Sequence, residues 1–107
     1  MNINFGRNTA VNYYFFKLIP PRGNFHQSMS EDETKIMKGH GTYWKGLQEK
    51  GIAPVFRPVL DPKGAWGLGI IEIGSESEAF KLTESDPAIT SRLCTIEIYP
   101  MHAVVKK

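Results

Sequence analysis

The apolar positions of this 107-residue chain fall into blocks with two different periods. Asn12–Ile19 is dense in aromatic and branched residues, and alternation puts Tyr14, Phe16 and Leu18 on one face and Tyr13, Phe15 and Ile19 on the other. A strand with two apolar faces needs cover on both sides. Pro20-Pro21-Arg22-Gly23 ends it and opens a loop reaching Met29. The period then becomes helical. Ser30 followed by Glu33 is a capping-box signature, and Glu31 and Asp32 suit the positive end of the helix dipole. A helix is predicted from about Glu31 to Lys50, with Gly51 as its C′ glycine. At about 100° per residue, Ile36, Met37, Tyr43, Trp44 and Leu47 occupy an arc of roughly 120°, with His40 near its centre.

Ile52–Leu60 reads as a second strand, and Pro54 and Pro58 place it at a sheet edge or at a bulge. Asp61-Pro62-Lys63-Gly64 has turn chemistry, and Trp66–Ile73 returns as the partner strand of a hairpin. Ser75–Thr83 suits a short helix with Ala79, Phe80 and Leu82 facing inward. Ser85-Asp86-Pro87 starts another helical turn, Asp86 as N-cap and Pro87 at the first helical position. Leu93–Tyr99 is the last long strand, closed by Pro100, and Ala103–Val105 adds a short edge. Residues Met1–Val11 have no clear period and read as a tail or edge segment ahead of one domain over 12–107.

The order β-α-β-β-α-β defines an α+β fold of the ferredoxin-like split βαβ type. Two helices cover only one face of a four-stranded sheet, so the apolar second face of the first strand calls for a homodimer in which two sheets meet. The length suits one domain with one modest core. Thirteen basic and eleven acidic residues leave a net charge of +2, and apart from Lys106–Lys107 the basic residues are scattered. With no basic face, nucleic acid is not an expected partner. The single Cys94 excludes a disulfide framework and fits a reducing cytoplasm. Tyr13–Phe16 is too short, and too soon interrupted by Lys17, to be a signal peptide or membrane span.

Gly39 and Gly41 bracket His40, and each costs a helix interior about 0.5–1 kcal/mol relative to alanine. They leave space beside the imidazole for a ligand or for a close backbone approach. A metal site from His40, Asp86 and His26 matches no recognised ligand spacing.

Several stretches resemble the YCII-related (YciI-like) family, in the subgroup with a proline-arginine loop after the first strand. They are Phe16-Lys17-Leu18-Ile19-Pro20-Pro21-Arg22, Met37-x-x-His40-x-x-Tyr43-Trp44, Pro58-Val59-x-Asp61-Pro62 with Trp66-Gly67, Asp86-Pro87 and Tyr99-Pro100-Met101, over roughly residues 12 to 105. The resemblance implies a dimeric α+β barrel and a catalytic dyad of His40 and Asp86, with no cofactor. In such a pair the carboxylate fixes the imidazole tautomer and stabilises its protonated form, so His40 takes a proton from a small organic molecule held between helix and sheet. Arg22 and His26 would then bind an anionic or phenolic group at the pocket mouth, and Tyr43 and Trp66 would supply walls or a hydrogen-bonding hydroxyl. The family usually has glycine before the strand proline; Arg57 stands there in this chain and narrows the pocket or adds a positive charge to it.

Each of these residues has a structural reading as well. His40 suits a satisfied core histidine, Asp86 an N-cap alone, Arg22 a solvated cation, and His26 and His102 the surface. Met37, Tyr43 and Trp44 already fit the core by their spacing. Two functions therefore stand side by side. One is a cofactor-independent enzyme performing elimination, isomerisation or hydrolysis through the dyad. The other is a non-catalytic ligand-binding or accessory dimer, which expects no His40–Asp86 hydrogen bond. An oxygenase-like relative on the same barrel lacks any sign of a haem or flavin site.

Overall fold

The computed structural model describes residues 12–102, so the expected segment Met1–Val11 and edge strand Ala103–Val105 lie outside the described residues. The chain forms β1 (Asn12–Ile19), α1 (Phe25–Ser28), α2 (Glu31–Glu49), β2 (Val55–Val59), β3 (Trp66–Ile73), α3 (Glu76–Thr83), α4 (Pro87–Thr90) and β4 (Thr95–Met101). It is an α+β fold in which the described strands make one antiparallel sheet in the order β2-β3-β1-β4.

Helix α2 begins and ends as its sequence dictates. Ser30 accepts the Glu33 N–H while the Glu33 carboxylate accepts the Ser30 N–H, which closes the capping box. At the other end Gly51 has φ +78°, and the N–H groups of Gly51 and Ile52 donate to the carbonyls of Gln48 and Leu47. This is a Schellman ending, and Ile52 and Leu47 also meet in the core as that motif favours.

Period-two alternation sorts the sheet into two faces. Tyr14, Phe16, Leu18 and Ile71 are buried on the face that carries α2 and α3, where they join Trp44, Leu47 and Ala79. Burial of each large side chain contributes roughly 1.5–3 kcal/mol. Gly69 is what lets α2 lie close to this face: a Cβ there would stand 2.5 Å from two atoms of the Trp44 ring. On the opposite face Phe15 packs against Trp66 and Tyr99, and Val55, Tyr99 and Met101 are exposed.

The structure departs from the sequence reading at five places. The loop after β1 contains the one-turn helix α1, anchored by buried Phe25. β2 begins at Val55, not Ile52; the Glu72 N–H still bonds the Ile52 carbonyl at 2.8 Å, one residue out of the register set by Val55 and Ile70, so Pro54 marks a slip. β4 begins at Thr95 and runs through Pro100, which pairs with Tyr14, because an edge strand tolerates a missing N–H on its outer side. Phe80 is half exposed: Ala79 and Thr83 are the buried residues of α3, with Leu82 partly buried beside them, and Phe80 lies about 100° round the helix from Ala79. Finally, Ser75 is the N-cap of α3 rather than its first residue.

Candidate functional site

The centre of the site follows from how α4 starts. Pro87 has no N–H to satisfy, and Asp86 caps the turn by accepting the Ala88 N–H on Oδ1 at 2.9 Å. This aims the carboxylate at α2, and Asp86 is 1% exposed. On α2, His40 and Trp44 stand four residues apart and share a face. Trp44 Nε1–H donates to Asp86 Oδ2 at 2.9 Å, and His40 Nδ1 lies 3.0 and 2.9 Å from Oδ1 and Oδ2.

Trp44 Nε1 and the Ala88 amide can only donate, so the carboxylate is arranged as an acceptor and the shared proton belongs on His40 Nδ1. Nε2 then keeps a lone pair, with no hydrogen-bond partner among the described residues. Gly39 makes this geometry reachable. A Cβ there would stand 3.2 Å from Pro87 Cγ, so its absence lets α4 bring Asp86 up to the imidazole. Gly41 is different: a Cβ there would meet nothing within 4 Å, and the residue lines a cavity.

That cavity measures about 330 Å³, toward the lower end of the ~300–1,000 Å³ common for small-molecule sites. Phe16, Leu18 and the strand glycines Gly67 and Gly69 form its floor, and Met37, His40 and Trp44 of α2 form the facing wall. Its lining is apolar apart from His40, His26, Arg57 and the Trp44 and Trp66 indoles.

The structure distributes the expected site residues unevenly. His40, His26, Arg57 and Trp66 line the cavity, and Asp86 stands behind the imidazole. Trp66 also donates from Nε1 to Asp61 at 3.2 Å, which pins it beside the hairpin turn. Arg22 lies outside this lining, and its guanidinium is engaged within the fold. It makes a two-pronged pair with Glu33 at 3.0 and 2.7 Å, donates to the Ser28 hydroxyl and carbonyl, and lies over the Phe25 ring. Its role is to clasp α1 onto the start of α2. Tyr43 too lies outside the lining, and its hydroxyl donates to the Leu82 carbonyl at 2.6 Å. Trp44 fits the core by its spacing; it belongs there and also holds the Asp86 carboxylate. A buried indole N–H needs an acceptor, and that was the signal available in the sequence.

Titration behaviour agrees with this layout. Burial, then the nearby Asp86 charge, raises the Tyr43 hydroxyl above its ordinary range. Burial also pushes the Cys94 thiol up to about 11, helped by the Asp86 and Glu33 charges. The hydrogen bond from Arg22, followed by that from the Ser30 backbone, brings Glu33 down to about 2. Among the described residues no three His, Cys, Asp or Glu side chains group closely enough to hold a metal ion. Nor is any helix among them long and apolar enough to cross a membrane.

Compared with the models of known protein families and with curated proteins, the chain matches none.

Proposed function

We propose that this chain is a YCII-related protein that works as a homodimer and uses His40 as a general base on a small organic molecule bound in the cavity between α2 and the sheet. The observation that carries this reading is the His40–Asp86 pair. A carboxylate buried by three donors holds Nδ1, and the ring is left with Nε2 as its reactive atom at the edge of an apolar cavity. Geometry of this kind suits proton abstraction: Asp86 orients the ring and stabilises the imidazolium that forms, and the apolar walls keep bulk water from competing. Elimination and isomerisation can begin with such a step on the bound molecule, whereas in hydrolysis the same base would take the proton from an attacking water.

The strand order β2-β3-β1-β4 with helices on one face supports the ferredoxin-like split arrangement. The second face carries Phe15, Tyr99, Val55 and Met101 beside Lys17, Glu72 and Glu97, and its exposed apolar residues support pairing of two sheets in an α+β barrel.

A non-catalytic binding or accessory dimer is the second reading, and the His40–Asp86 contact at 2.9 Å runs against its expectation of no such bond. What favours it is that Asp86 is fully explained as a cap and as a tie between α2 and α4, whatever the imidazole does.

The test is solvent-deuterium incorporation into a panel of small carbon acids, followed by turnover of whichever one exchanges. His40→Ala is expected to lower the rate by about 10²–10⁴-fold while ligand binding survives. A substrate turned over equally well by the wild type and His40→Ala removes the enzymatic reading.

A further inference from the structure

Arg57 is the one permanently charged side chain in the cavity lining, and it has no ionic partner among the described residues. By strand register it should stand on the outer face of the sheet, opposite Leu68. Instead its side chain turns back over the strand, which an edge position allows. Its guanidinium lies 4.9 Å from the Phe56 ring centroid and donates only to the Phe56 carbonyl, at 3.1 Å. Phe56 in turn packs 6.1 Å from Trp44, whose ring lies 6.2 Å from His40. A continuous aromatic wall therefore runs from the guanidinium to the imidazole.

Arg57 supplies the fixed charge on that wall, and it is positive. The lining contains Arg57, His26 and His40 and no Asp, Glu or Lys, since Asp86 is enclosed behind the imidazole. Among the described residues the close ion pairs are Arg22–Glu33 and His40–Asp86, and neither involves Arg57. Segments 1–11 and 103–107 contain no Asp or Glu. A guanidinium is a planar fork that meets a carboxylate through two parallel hydrogen bonds, and most of the Arg57 donors are unused. A single cation without a nest of backbone N–H groups suits a monoanion better than a phosphate.

Resting on the reading that this cavity is the functional site, we infer that its ligand is a small, largely apolar carboxylate, most of it flat enough to lie along Phe56 and Trp44. The carboxylate pairs with Arg57 at the rim, and the reacting end faces His40 Nε2. Arg57 thus selects the substrate by charge, while His40 acts on it.

The test uses benzoate and its neutral isostere benzamide at fixed ionic strength, titrated by NMR into the full-length protein. The readouts are the Met29 and Met37 methyl groups and the Gly41 amide, all in the lining. Benzoate is expected to shift these signals and to bind about ten- to a hundredfold more tightly than benzamide. Arg57→Leu should abolish that preference without changing benzamide affinity, and Arg57→Lys should retain part of it. Arg57 is exposed, so these variants should leave the remaining amide spectrum unchanged. Equal binding of the two probes, a preference that survives Arg57→Leu, or benzoate that fails to saturate at tens of millimolar overturns the inference. If the probes bind but shift residues elsewhere, the cavity itself is the wrong site, and the proposed function fails with it.

Discussion

Asp86 shows how one side chain can cap a helix and hold an imidazole and an indole at the same time. Its two oxygens accept from Ala88, Trp44 and His40, which is within the lone-pair capacity of a carboxylate. Removing it leaves buried donors without acceptors and a helix without a cap. Asp86→Ala is therefore expected to lose about 2–4 kcal/mol of unfolding free energy in urea titrations, and a loss under about 0.5 kcal/mol would contradict the assigned bonds. Asp86→Asn keeps an acceptor for Ala88 but turns an amide NH₂ toward one of the other donors, so it should impair any His40-dependent turnover more than stability. Cys94 gives a second expectation at this scale. With its thiol 4% exposed and raised to about 11, mainly by burial, it should resist alkylation at pH 8 until the chain unfolds. Rapid modification of the native protein would contradict that.

Among the elements, α2 carries the site and α1 is tied to it by Arg22. The depressed Glu33 value fixes the sign of the pH effect. A carboxyl that ordinarily titrates at 4.5 and is lowered to about 2 in the fold stabilises the clasp fully above about 4.5, and that contribution is lost as the pH falls through about 2. An NMR titration should find the Glu33 midpoint near 2, and Arg22→Ala should return it toward 4; a wild-type midpoint near 4 would mean the clasp is open in solution. The glycines give a contrast measurable by urea unfolding. Gly41→Ala should gain about 0.5–1 kcal/mol, since no atom lies within 4 Å, whereas Gly69→Ala should lose about 1–3 kcal/mol against the Trp44 ring. The caps of α2 and the turn at Asp86-Pro87 were legible in sequence because they depend on neighbouring residues. Helix α1 and the Arg22–Glu33 pair were not, since a four-residue turn has no period to detect and the pair depends on where the loop folds back. Pro100 misled for a related reason, because whether proline ends a strand depends on the strand's place in the sheet.

For the molecule as a whole, the sheet presents one face to the helices and leaves the other with exposed Val55, Tyr99 and Met101 around Phe15. The proposed pairing of two such faces predicts a species of twice the chain mass in sedimentation equilibrium at micromolar concentration. Ile70→Asp, on that face between Phe15 and Val55, should shift it to monomer. A wild-type monomer would contradict the pairing. The two apolar faces of β1 made this surface visible in sequence, and the His40 stripe made one wall of the cavity visible. On the opposite wall, Phe56 reaches the cavity as alternation directs, paired with Gly69, whereas Arg57 enters it by a side-chain path that alternation does not encode, so that only the resemblance pointed to it. The most direct test of the central claim is the ¹⁵N spectrum of the His40 imidazole. Neutral His40 is expected to be protonated at Nδ1 with Nε2 bare, and Asp86→Asn should disturb that tautomer. A neutral ring protonated at Nε2, or one indifferent to Asp86→Asn, would contradict the dyad.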